Sequence, residues 1–126
     1  MKKLSFLTVI AFLSLLFFSS CEPKSEFDLK LDKKVYTPGE TIKIQFTANA
    51  DWDEYAWVGI VPSDVPHGKE SENDANDISY QYINKKTSGT FEFYAPDEPG
   101  KYDFRMNDSD DSETGLEISS VSFEVK

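Results

Sequence analysis

Cysteine is almost missing. Cys21 is the only one in 126 residues, so no disulfide can form within the chain and any fold must hold by packing. A domain of about 100 residues can do that. Histidine is as scarce: His67 is the only one, set between Pro66 and Gly68. Serines are frequent, but no Gly-x-Ser-x-Gly elbow is present, so a Ser-His-acid triad has no support. Carboxylates abound without a motif that would gather them in a cleft, and the chain reads as a non-catalytic protein. Positive charge is short, with 13 Lys and Arg against 23 Asp and Glu and a formal net charge of −10. That disfavours nucleic acid and anionic surfaces as electrostatic partners. Past residue 26 the sequence shows no convincing helix. Internal repeats are lacking as well.

One long apolar run exists, at residues 4–18, broken only by Ser5, Thr8 and Ser14 and preceded by Lys2 and Lys3. It is too short for a comfortable membrane span and has the layout of a secretory signal. The small pair Ser19-Ser20 leads directly into Cys21. Phe18-Ser19-Ser20-Cys21 resembles the end of a bacterial lipoprotein signal. The resemblance implies cleavage before Cys21, lipidation of its sulfur and attachment to a membrane. The expected organisation is a signal peptide at 1–20, a lipidated Cys21 with a short tether at 21–26, and one domain at 27–126. The expected location is the cell envelope, on the outer membrane, facing the periplasm or the surface.

Beyond residue 26 the pattern is that of strands. Phe27, Leu29 and Leu31 alternate with polar residues, as do Ile42, Ile44 and Phe46, then Ile78, Tyr80 and Tyr82, then Phe91 and Phe93, then Tyr102, Phe104 and Met106. Pro38-Gly39 separates the first two runs and Pro99-Gly100 precedes the run at Tyr102. In the last run the apolar parity changes between Ile118 and Val121, which calls for a one-residue bulge near Ser119-Ser120. The stretch Ala56-Trp57-Val58-Gly59-Ile60-Val61 is apolar on both alternating faces and reads as the central strand. Trp57 and Val61 point one way, Val58 and Ile60 the other. A two-layer sandwich buries one face of each sheet, so something must cover the second. The irregular stretch 63–77 is one candidate and a partner is the other.

Seven strands with turn signals about every ten residues predict an all-β, immunoglobulin-like antiparallel β-sandwich. Tyr102 stands where a tyrosine corner is expected and Trp57 where the core tryptophan is expected. Trp57-Val58-Gly59-Ile60, Tyr80-Gln81-Tyr82, Gly100-Lys101-Tyr102-Asp103-Phe104-Arg105 and Asn107-Asp108 follow one another in an order that resembles the Trp-Ile-Gly-Ile-Tyr immunoglobulin-like modules of secreted bacterial hydrolases. More loosely it is similar to the SKICH domain. The resemblance implies the fold and an accessory role, and says nothing about a ligand.

Two groups of residues could bind something. Asp51 and Asp53 lie in the loop before the central strand, and Asp108 and Asp110 in the loop after the Tyr102 strand. Under the expected strand order both loops fall at one end. They read either as a solvated acidic surface or as ligands for calcium, which takes six to eight oxygens. Calcium is the only cofactor suggested. Trp52, Tyr55, Tyr80 and Tyr82 could stack on a sugar or hold a peptide. The expected function is a lipid-anchored binding or accessory module of the envelope, with an envelope protein or a glycan as partner. A calcium-stabilised carbohydrate-binding module and a purely structural lipoprotein are the alternatives.

Overall fold

The computed structural model describes residues 27–126. The expected signal peptide, Cys21 and the tether lie outside the described residues. The domain is a β-sandwich of eight strands: β1 Leu29–Leu31, β2 Val35–Tyr36, β3 Thr41–Thr47, β4 Trp57–Pro62, β5 Ser79–Tyr82, β6 Ser88–Tyr94, β7 Gly100–Asn107 and β8 Glu117–Val125. One sheet has the order β1-β3-β6 and the other β2-β8-β7-β4-β5. The strand beyond the expected seven is β2. It runs parallel to β8, so the chain leaves the first sheet after β1 and borders the second before returning as β3.

Alternation built the strands as expected. In β3, Ile42, Ile44 and Phe46 are buried and the residues between them exposed. They meet Val58 and Ile60 of β4, Phe93 of β6, Phe104 and Met106 of β7, and Phe123 and Val125 of β8 in one core between the sheets. Each such side chain contributes about 1.5–3 kcal/mol by leaving water. Phe104 touches both Phe93 and Phe123, with ring centroids 5.1 Å apart in each case. The Tyr102 hydroxyl donates to the Glu98 carbonyl at 2.7 Å, which is the expected tyrosine corner. The bulge is also present, one residue earlier than expected. Met106 pairs with Ser119 and Asn107 with Glu117, which leaves Ile118 as the extra residue.

Two expectations are corrected. A helix is present: α1, Glu70–Asn76, within the 63–77 stretch. Its sequence, Glu-Ser-Glu-Asn-Asp-Ala-Asn, has no apolar stripe because the two residues it buries are Glu70 and Asn73. A helix that packs through polar groups leaves no apolar periodicity to read. The second correction concerns Trp57. It is buried, but on the outer face of its sheet and not between the sheets. The 63–77 stretch lies over that face, so the chain itself covers the side of β4 that carries Trp57 and Val61.

Candidate functional site

The covered face begins with Gly59. A Cβ there would lie 2.6 Å from the Trp57 ring and 2.9 Å from the Ser79 carbonyl oxygen. Only glycine lets the indole lie down along β4. Beside it, β7 presents Asp103, Arg105 and Asn107, paired with Val61, Gly59 and Trp57. All three polar residues are buried.

Arg105 organises this face. Its Nη2 donates to Asp103 Oδ2 and to the Val65 carbonyl, both at 2.8 Å. Its Nη1 donates to Asn73 Oδ1 at 2.9 Å and to the Pro66 carbonyl at 3.1 Å. Asp103 Oδ1 in turn accepts from Ser63 and Ser122, each at 2.8 Å. Asn73 donates to Asn107 at 2.8 Å and to Glu117 at 3.0 Å. Burial pushes the Asp103 carboxyl up, but the bonds from Arg105, Ser122 and Ser63 outweigh it and hold the group below its ordinary value. His67 belongs to the same network. Arg105 Nη2 meets its Nε2 at 3.3 Å, and its Nδ1 lies 2.7 Å from Glu117 Oε2. The planar guanidinium thus ties Val65, Pro66, His67 and Asn73 of the 63–77 stretch to the sheet.

The aromatic residues divide. Tyr80 and Tyr82 sit on edge strand β5, on the outer face, opposite Gly59 and Trp57. Their ring centroids are 5.3 Å apart, and Tyr55 joins the row 5.5 Å from Tyr82. Tyr80 also meets the Trp57 indole edge-on at 6.1 Å. Tyr55 and Tyr80 are about half exposed, at 52% and 50%. Trp52 stands apart, half-buried against the inter-sheet core with Phe27 at 4.9 Å. Three of the four expected ligand-binding aromatics therefore form one row, and the fourth packs elsewhere.

The acidic loops do meet at one end: the Asp53 amide donates to the Asp108 carbonyl at 3.3 Å. Asp51, Asp53 and Asp108 line a shallow depression with Asp111. Several of these carboxylates shape their own loops. Asp53 accepts from the Tyr55 amide, Asp108 from that of Leu116, and Asp111 from that of Glu113. Asp110 looks elsewhere. Its carboxylate accepts from the Tyr82 hydroxyl at 3.2 Å and lies with those of Glu70 and Asp74, all within 4.8 Å of one another.

Glu70 was not expected among the candidate residues. It is fully buried at the start of α1, and its Oε2 accepts from the Trp57 indole N–H at 2.9 Å. Its Oε1 has no hydrogen-bond partner other than the neighbouring Asp110 carboxyl, which when ionised is an acceptor like itself. Burial pushes the Glu70 carboxyl up to about 7, opposed by the Trp57 bond and reinforced by a side-chain hydrogen bond with the Asp110 carboxyl and by the charges of Asp74 and Asp110. Gly115 permits this approach: a Cβ there would lie 2.7 Å from Glu70 Cβ, and its carbonyl accepts the Glu70 amide at 3.2 Å. The one sequence signal for Glu70 was the second apolar face of β4, which required a cover holding some partner for Trp57.

Neither the protein-family models nor the curated proteins compared with this chain match it.

Proposed function

We propose that this protein is an exported, lipid-anchored, non-catalytic binding module of the cell envelope, and that its ligand is a glycan. The observation that carries the reading is the row Tyr55, Tyr82 and Tyr80, with successive centroids 5.5 and 5.3 Å apart and edge-to-face; Tyr80 and Tyr82 sit on edge strand β5, Tyr55 in the loop before β4, and Tyr55 and Tyr80 are half-open to solvent. Tyrosine rings offer flat apolar faces to the C–H side of a sugar ring. Asp110 beside Tyr82 supplies an acceptor for sugar hydroxyls. The non-catalytic part of the reading is supported by His67, whose two ring nitrogens are engaged by Glu117 and Arg105. The anchor rests on Phe18-Ser19-Ser20-Cys21 and on its resemblance to a lipoprotein signal.

A glycan array probed with the purified protein and with Tyr80→Ala tests the ligand. Tyr80 is half exposed and meets the Trp57 and Tyr82 rings edge-on, so the variant is expected to fold with a loss of about 1–2 kcal/mol. It should lose binding by at least about tenfold, the scale of one lost ring contact. Glycan binding that survives Tyr80→Ala and Tyr82→Ala together would move the ligand off this row. For the anchor, Cys21→Ser should release the protein from the membrane fraction, and a variant that still sediments with membranes would contradict lipidation.

A further inference from the structure

We propose that Glu70, Asp74 and Asp110 form a calcium site at the junction of α1 and the β7–β8 loop, distinct from the depression lined by Asp51, Asp53 and Asp108. Two independent observations carry it. The first is geometric: one carboxylate oxygen from each of the three residues lies within 4.8 Å of the others. An ion placed among three oxygens this close stands at most about 2.8 Å from each, so small side-chain adjustments bring all three to the 2.3–2.6 Å of calcium ligands. The second is the state of Glu70. It is fully buried, and its Oε1 meets only the Asp110 carboxyl, which when ionised is an acceptor like itself. A buried carboxylate oxygen left without a donor costs free energy unless a cation or proton sits against it.

The surroundings fit a hard divalent cation. No ion pair among the described residues involves Glu70, Asp74 or Asp110. Glu70 and Asp110 are each oriented by a second bond, from the Trp57 indole and from the Tyr82 hydroxyl. Outer partners of this kind are what fix metal ligands in place. Asp74 and Asp110 are exposed, which leaves the outward side open to the waters that complete calcium's coordination. The ion would fasten α1 to the β7–β8 loop. It would also hold Asp110 beside the tyrosine row, although the site stands whether or not that row binds a glycan.

The test uses calcium alone and the purified full-length protein, with two readouts. Thermal unfolding in 1 mM calcium should run about 5 °C above that in chelator. Terbium placed in the site lies beside Trp57 and Tyr82, so its sensitised luminescence should appear on binding and fall as calcium displaces it. Asp74→Asn alters an exposed side chain that belongs to this cluster alone. It should fold, lose most of the melting shift and weaken calcium at least tenfold. The double variant Asp51→Asn with Asp53→Asn should keep both signals. Equal midpoints with calcium and chelator would overturn the proposal, leaving a proton as what Glu70 holds. So would a calcium shift that survives Asp74→Asn, or one that disappears only in the Asp51 and Asp53 variant.

Discussion

The two faces of the five-stranded sheet are both buried around β4 and β7, and they are built on opposite chemistry. Between the sheets, Val58, Ile60, Phe104 and Met106 meet other apolar side chains. On the outer face, one residue away in sequence, Trp57, Asp103, Arg105 and Asn107 meet α1 and its flanking chain. The inner face gains stability from area removed from water and tolerates any filling of about the right shape. The outer face gains little net from its hydrogen bonds, because each replaces one to water. What it gains is a unique placement: Arg105 can satisfy its donors only if Val65, Pro66 and Asn73 lie where they do. The first face holds the sandwich together, and the second fixes where the 63–77 stretch, with Glu70 and Asp74, lies on it.

The largest expected effect breaks the outer face. Arg105→Ala leaves Asp103 buried without its cation and should cost about 3–5 kcal/mol in denaturant unfolding. Met106→Leu, its neighbour on the inner face, should cost less than about 1.5 kcal/mol, since an apolar group of similar size remains. Equal costs would erase the distinction between the faces.

Next comes Gly59→Ala. The new methyl meets the Trp57 ring at 2.6 Å and the Ser79 carbonyl at 2.9 Å, so the indole or β5 must move. About 1–3 kcal/mol of destabilisation is expected, measured by thermal unfolding, together with a change in Trp57 fluorescence. The smallest effect belongs to the corner at the edge of the inner core. Tyr102→Phe removes one hydrogen bond, to Glu98, and should cost about 1 kcal/mol.

The inner face was legible in the sequence because alternation reports burial directly: Ile42, Ile44 and Phe46 could face only a core. The tyrosine corner was legible because Pro99-Gly100 marks the turn before Tyr102. The outer face was not. Asp103, Arg105 and Asn107 have the alternation of solvent-facing residues, and only the register that sets them beside Trp57 and Gly59 puts them under a cover. Trp57 looks like an apolar residue of one core, whereas its indole N–H needs a buried acceptor, which Glu70 provides. The helix leaves no periodic apolar signal because its buried residues, Glu70 and Asn73, three apart, are polar. The two acidic loops were correctly placed at one end, but chain order could not tell that Asp110 turns toward Glu70 and Asp74 while Asp53 and Asp108 turn into their own loops.

The most direct test of the two-face account is amide hydrogen exchange in Arg105→Lys. Lysine keeps the charge beside Asp103 but lacks the fork that reaches Val65, Pro66 and Asn73 together. The amides of Glu70 and Asn73, bonded to Gly115 and Lys69, should lose protection, while those of Ile44 and Phe93 in the β3–β6 pair keep it. Protection lost equally in both regions, or unchanged in both, would contradict the claim that Arg105 fixes the 63–77 stretch on a sandwich that stands without it.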